Sequence, residues 1–260
     1  MILGLLLGIA TLAAVSSAFG EDMTEVEDPV GDDGLNVTGS ENGDLLEGNQ
    51  GDDQFFGKGG DDLLIGRSGA DGLYGGDHAD GVFGGDGDDF LRGGADNDLI
   101  IGDDGADNIH GDGGDDRIVS AAILDAPVYQ ASLLAADDPT GVNVTFDYRT
   151  DTDEGDLVDA GTGDDEILFG SHDTVTGGEG ADLFASGDWI AAGAPATITD
   201  FDSATDVIGY SFDGQSPEIT SQLDDDGTAT VSADGAAFLV VVNAGPEFDA
   251  SLIELQRRIT

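Results

Sequence analysis

A period of nine residues governs this chain from Gly39 to Val119, where nine units follow one another without a gap. Each unit opens with glycine: Gly39, Gly48, Gly57, Gly66, Gly75, Gly84, Gly93, Gly102 and Gly111. Five places on stands an aspartate: Asp44, Asp53, Asp62, Asp71, Asp80, Asp89, Asp98, Asp107 and Asp116. Two places further every unit is apolar: Leu46, Phe55, Leu64, Leu73, Val82, Leu91, Ile100, Ile109 and Ile118. A unit with one fixed apolar residue cannot bury it alone, so such repeats must stack on their neighbours. The six residues rich in Gly, Asp and Asn suit a turn with positive φ. The remaining triplet suits a short strand whose middle side chain points one way and whose flanking side chains point the other. Two units then close one coil of a flattened roll, and unit n lies beside unit n+2 at the strand spacing of ~4.8 Å.

Stacking in this way lines up the aspartates in two ladders, one along each edge of the roll. Carboxylates ~5 Å apart repel by about 3 kcal/mol at an effective dielectric near 20, so a cation must sit between them. Calcium fits, because it takes six to eight oxygens from carboxylates and carbonyls in flexible geometry. Magnesium demands a tighter octahedron and keeps its water. The chain has no cysteine and 3 histidines, which leaves little for a zinc or iron site.

The pattern G-G-x-G-x-D-x-U-x carried by these units resembles the RTX (repeats-in-toxin) calcium-binding family. The resemblance implies an all-β, right-handed parallel β-roll loaded with several Ca2+ ions, and a protein that works outside the cell. A net charge of −49 agrees with that and excludes nucleic acid as a partner. A merely solvated acidic surface or acidic tail would not recur at every ninth residue.

The roll is flanked by other segments. Residues 1–19 are apolar or small, end in Ser16-Ser17-Ala18 and carry no Lys or Arg. They read as a cleaved export signal or as a membrane attachment through residues 2–19. Residues 20–38 read as an acidic linker, 39–119 as the first roll and 120–154 as an insertion with an apolar run from Ala121 to Ala136. A second, irregular block at 155–185 carries Asp156, Asp165, Asp173 and Asp182, spaced nine, eight and nine. The lost residue should distort one coil and remove a metal site. Residues 186–260 read as a small β-rich C-terminal cap. The stretch from Gly177 through Ile198-Thr199-Asp200-Phe201-Asp202 to Asp206-Val207-Ile208 resembles the closing segment of the serralysin C-terminal domain. At the end, Asp249 is placed to cap a helix carrying Leu252, Ile253, Leu255 and Ile259.

All thirteen aspartates of the two blocks are candidate calcium ligands, with about seven ions expected in the first block and at most two in the second. No G-x-S-x-G, H-E-x-x-H, phosphate loop or EF-hand pattern occurs, so the expectation is a structural or binding protein and not an enzyme. The alternatives are an RTX-appended secreted hydrolase or epimerase, or a surface adhesin. His78, His110 and His172 read as surface side chains, and Trp189 as packing. The outward places of the odd units hold Leu45, Glu47, Leu63, Ile65, Gly81, Phe83, Leu99, Ile101, Arg117 and Val119, of which Leu63, Ile65, Phe83, Leu99 and Ile101 form one contiguous apolar patch. That apolar face should be covered by the Ala121–Ala136 run, by the cap, or by a second chain or other protein meeting Ile65, Phe83 and Ile101.

Overall fold

The structure, a computed structural model, describes residues 25–27, 33–121 and 155–257. The apolar leader and all of the insertion between 122 and 154 lie outside them. The described residues form two sheets of parallel strands, with antiparallel pairing confined to the C-terminal hairpins. Sheet I runs β1 (Glu25–Glu27), β3 (Leu45–Glu47), β5 (Leu63–Ser68), β7 (Gly81–Asp86), β9 (Leu99–Asp104), β11 (Arg117–Val119), β13 (Glu166–Leu168), β15 (Leu183–Gly187), β17 (Val207–Phe212) and β21 (Ile253–Arg257). Sheet II runs β2 (Asn36–Thr38), β4 (Gln54–Gly59), β6 (Gly72–Asp77), β8 (Phe90–Ala95), β10 (Asn108–Gly113), β12 (Leu157–Thr162), β14 (Thr174–Glu179) and β16 (Ala196–Ile198). It closes with β20 (Ala236–Val241), β19 (Ala229–Ala233) and β18 (Ile219–Leu223). Successive units alternate between the sheets and each strand pairs with the one two units away, as in Leu64 beside Val82 and Leu73 beside Leu91. This is the parallel β-roll that the nine-residue period calls for.

The middle residue of each triplet is the core. Leu46, Phe55, Leu64, Leu73, Val82, Leu91, Ile100, Ile109 and Ile118 belong to one cluster that continues through Val158, Ile167 and Phe184 to Ile253. The two faces turned away from this core differ. In sheet II the flanking residues are half-buried or exposed, the alternation of a sheet with one wet side. In sheet I they are buried as well: Leu45, Leu63, Ile65, Phe83, Leu99, Ile101 and Val119 are all at or below 5% exposure. The apolar odd face is therefore covered, as the sequence implies. Of the proposed cover, Ala121 is buried against Trp189, and the rest of the Ala121–Ala136 run lies outside the described residues.

Four features differ from the sequence reading or sharpen it. The acidic linker supplies β1 and β2, which add a coil ahead of the first repeat by pairing with β3 and β4. The two blocks form one continuous roll, since β12 pairs with β10 and β13 with β11 across the insertion. The residue missing between Asp165 and Asp173 leaves β13 only three residues long, and Phe169 turns into the core directly after it. Finally, the C-terminal helix is absent. Asp249 accepts a hydrogen bond from the Ser251 N–H, but it caps a 3₁₀ turn at Ala250–Leu252, after which the chain extends as β21 along β17. An open strand edge satisfies the backbone of this segment; Leu252 and Ile253 pack on the core, and Ile259 lies outside the described residues. Leu255 is 44% exposed, so the apolar stripe a helix needs does not exist.

Candidate metal centre

From Gly57 to Gly111 each repeat turn is built on two residues with positive φ, the second and the fourth of the unit. They pair as Lys58 with Gly60, Arg67 with Gly69, Gly76 with His78, Gly94 with Asp96, and Asp112 with Gly114. His78 and Asp96 stand at the fourth place, which favours glycine, and both adopt the left-handed conformation, with φ of 82° and 72°. That the second place needs the same conformation escaped the reading, because Lys58, Arg67, Asp103 and Asp112 occupy it with φ between 73° and 87°.

These turns place the sixth-place aspartates in two ladders. In each, the Oδ1 of one aspartate accepts the backbone N–H of the aspartate one coil earlier. One ladder joins Asp44, Asp62, Asp80, Asp98 and Asp116 at 2.7 to 2.8 Å, then Asp165 and Asp182. The other joins Asp53, Asp71, Asp89, Asp107, Asp156 and Asp173. Steps within the repeats bridge 18 residues, and the steps from Asp107 to Asp156 and from Asp116 to Asp165 bridge 49 with the same geometry. The insertion leaves the ladder undisturbed. All thirteen aspartates are at or below 3% exposure.

The second carboxylate oxygen decides what the ladder can do. The Oδ2 atoms of Asp62, Asp71, Asp80, Asp89, Asp98, Asp107, Asp116 and Asp165 are buried and accept no hydrogen bond from the protein. Eight orphaned anionic oxygens are far outside what a folded protein leaves unsatisfied, each costing about 1–3 kcal/mol or more. Glycine at the first place shows where they point. A Cβ added to Gly57 would stand 2.1 Å from Asp62 Oδ2 and 2.6 Å from the carbonyl oxygen of Gly75 in the next coil. At Gly75 the corresponding atoms are Asp80 Oδ2 at 2.3 Å and the Gly93 carbonyl at 2.7 Å, and at Gly111 they are Asp116 Oδ2 and the Ala160 carbonyl, both at 2.3 Å. Gly57, Gly66, Gly75, Gly84 and Gly111 thus each keep open a small cradle on which a carboxylate oxygen and a carbonyl of the next coil converge.

Among the described residues no three acidic or histidine side chains converge on one point. A cation held here draws one carboxylate oxygen and otherwise carbonyls, a hard-oxygen donor set that suits Ca2+ and fails a thiol- or imidazole-seeking metal. The electrostatics agree. Burial, opposed by the backbone hydrogen bond to Oδ1 and aided by neighbouring carboxylates, lifts Asp71 and Asp116 to about 6 and Asp62, Asp107 and Asp165 to about 7. Asp89 and Asp98 are pushed to about 8 and Asp80 to about 9. Without a counter-cation Asp80, Asp89 and Asp98 hold protons at pH 7 in the folded roll.

Not every expected ligand sits in an open cradle. At the N-terminal end, Ser40 N–H donates to Asp44 Oδ2 at 2.5 Å and Asn49 N–H to Asp53 Oδ2 at 2.9 Å. Ser40 and Asn49 are second-place residues without positive φ, so their amides turn onto the carboxylate. Beside them the Lys58 ammonium donates to the Gly39 carbonyl at 2.7 Å. At the shortened turn, Ser120 Oγ–H and Gly170 N–H both donate to Asp173 Oδ2 at 2.7 Å. Protein donors thus fill the place of a cation at both ends of the array. Asp206, which sequence reasoning left out of the ligand set, continues the ladder by accepting the Asp182 N–H at 3.3 Å, and the run Asp206-Val207-Ile208 carries the signal.

The remaining singled-out residues are structural. His78 and His172 are exposed, and His110 lies half-buried with its ring against Phe90. Trp189 is buried and donates its indole N–H to the Phe169 carbonyl at 3.0 Å, a packing role. Among the described residues no helix is long and apolar enough to cross a membrane, and residues 2–19 lie outside them.

Comparison with known proteins agrees with this geometry. Residues 38–73, 47–82, 57–91, 83–118 and 170–188 match the RTX calcium-binding nonapeptide repeat (4 copies). No curated protein matches the chain. Among solved structures, the chain is similar to the solution structure of the AlgE6R3 subunit from the Azotobacter vinelandii mannuronan C5-epimerase. The identity is 20%, over 65% of this chain and 78% of that one, with a TM-score of 0.31. The nine-residue period, the ladders and the family match together identify residues 38–118, and again 170–188, as RTX calcium-binding repeats wound into a parallel β-roll.

Proposed function

We propose that this protein takes up about eight Ca2+ ions, one in each open cradle, and folds as it does so outside the cell, with a structural or binding role and no catalytic one. The observation that carries this is the set of eight buried, unpartnered Oδ2 atoms, seven in the first block and one at Asp165. Without cations their burial opposes folding, so the binding energy of the ions becomes folding energy. Location follows from ligand charge. A cradle whose charge is a single carboxylate oxygen, set beside a carbonyl of the next coil, belongs to the weak end of calcium sites, about 10⁻⁴ to 10⁻³ M, which extracellular calcium fills and cytosolic calcium does not. Metal analysis of the calcium-equilibrated chain tests the reading. About eight ions are expected, with one fewer in Asp62→Asn and no loss in Asp44→Asn or Asp173→Asn, whose Oδ2 atoms already have protein donors. A total of one or two ions, or an equal loss from all three variants, would overturn it.

A further inference from the structure

The wet face of sheet II carries a feature that calcium binding does not use. Four rings lie in contact across the adjacent strands β4, β6, β8 and β10: Phe56 to Tyr74 at 4.9 Å, Tyr74 to Phe90 at 5.5 Å, and Phe90 to His110 at 5.4 Å between centroids. All four are half-buried, so this row is open to solvent along its length. It is not a straight stack. Phe56, Tyr74 and His110 occupy the place after the inward residue, while Phe90 occupies the place before it, in register with Gly72. The row therefore steps sideways at Phe90, and the interplanar angle opens from 11° to 35° and 40°. At this step the Tyr74 side chain also lines open space.

Beside this step lies a shallow trough of about 360 Å³. Gly75 and Gly76 on one coil and Gly93 and Gly94 on the next line it, each pair followed by a short side chain, Asp77 and Ala95. Its walls are the Tyr74 ring and the Arg92–Asp112 ion pair, in which Nε and Nη2 of the guanidinium both meet the carboxylate. An aromatic wall, a glycine-rich floor, and a fork of donors and acceptors with the Asp77 carboxylate beside it is an arrangement for a flat molecule that is apolar on its faces and hydroxylated round its edge. A pyranose ring is such a molecule, with axial C–H groups for the tyrosine and vicinal hydroxyls for the fork. The ring-to-ring steps of 4.9 to 5.5 Å along the row are close to the advance of one sugar in an extended chain.

Charge narrows the choice. A chain of net −49 repels polyanions, which disfavours polyuronates, sulfated glycans and nucleic acids alike. The opposite face of the roll is buried, which leaves sheet II as the broad open surface among the described residues. We propose that the Phe56–Tyr74–Phe90–His110 row and the adjoining Tyr74–Arg92–Asp112 trough bind a neutral linear polysaccharide laid across the strands.

The test is titration calorimetry of the full calcium-loaded chain with cellohexaose, laminarihexaose, xylohexaose and maltohexaose, and with hexagalacturonate as the anionic counterpart. At least one neutral hexasaccharide should bind, and Tyr74→Ala and Arg92→Gln should each weaken that binding by about tenfold. Circular dichroism and bound calcium should stay unchanged in both variants, which separates lost recognition from lost folding. Arg92 is half-exposed, so its variant retains the fold even if loss of the Tyr74 ring disturbs the row. Binding of none of the neutral sugars, binding of hexagalacturonate alone, or full affinity in either folded variant would overturn the proposal.

Discussion

Replacing Asp80 by asparagine should reverse its effect on stability according to whether calcium is present. Burial lifts the Asp80 carboxyl from its ordinary 3.8 to about 9. At pH 7 the metal-free roll must therefore hold a proton there that the unfolded chain does not hold. The gap of roughly three pH units between the ordinary value and pH 7 corresponds to as much as about 4 kcal/mol at 1.36 kcal/mol per unit. Asparagine removes that penalty. Its Oδ1 can still accept the Asp62 N–H, and its Nδ2 replaces Oδ2 at the point facing the Gly93 carbonyl, an acceptor it can use. The metal-free chain should thus gain up to about 4 kcal/mol. The calcium-loaded chain should lose one ion, about 2.7 kcal/mol at a calcium concentration a hundred times the dissociation constant. Urea unfolding followed by circular dichroism at pH 7 measures both arms. The metal-free arm is run in chelator with trimethylamine N-oxide to bring the folded state into range. A variant that is less stable by the same amount with and without calcium would show that Asp80 is an ordinary packed residue, and the cradle argument would fail.

Two further outcomes follow from the same geometry. The carboxyls of Asp62, Asp71, Asp80, Asp89, Asp98, Asp107, Asp116 and Asp165 are raised to between about 6 and about 9 in the metal-free fold, so their contribution to its stability is full below about 3.8 and is lost as pH rises from there through 6 to 9. Calcium displaces those protons from the folded roll, so calorimetry at pH 7 with trimethylamine N-oxide holding the metal-free chain folded, in buffers of different ionisation enthalpy, should show proton release, with affinity weakening toward pH 5; uptake by the folded metal-free chain without proton release would contradict the burial of these groups. On the covered face, Ile65 and Ile101 are each 2% exposed. Lysine at both should lower the melting temperature of the calcium-loaded chain by roughly 10 °C or more, as two buried charges without partners require, and an unchanged melting temperature and molecular mass would mean that the face is open to water.

The parts of the fold that depend on one residue per unit were legible in the sequence. First-place glycine, sixth-place aspartate and eighth-place apolar residue each have a single spatial role, so their columns give the two sheets, the core from Leu46 to Ile118 and both ladders. Covering of the odd face was equally legible, because Leu63, Ile65, Leu99 and Ile101 can be nothing but apolar surface until something lies over them. What could not be read depends on conformation rather than identity. Whether an Oδ2 is open turns on the φ of the second-place residue, and Ser40 and Lys58 do not announce by type that one folds its amide onto the carboxylate and the other adopts φ of 87°. The C-terminal strand was hidden for a different reason. Leu252, Ile253 and Leu255 satisfy a helical spacing as well as an extended one, and the open edge of β17, a tertiary feature, decides between them.

The central claim is that carboxylate burial makes this fold conditional on cations, and far-ultraviolet circular dichroism across a calcium titration tests it most directly. At pH 7 in excess chelator the chain should give the spectrum of a largely unfolded polypeptide, and millimolar calcium should restore the β spectrum cooperatively, with magnesium failing to do so at the same concentration. A chain that keeps its full β content in excess chelator at pH 7 would contradict the account, because the buried carboxylates would then be tolerated without any ion to hold.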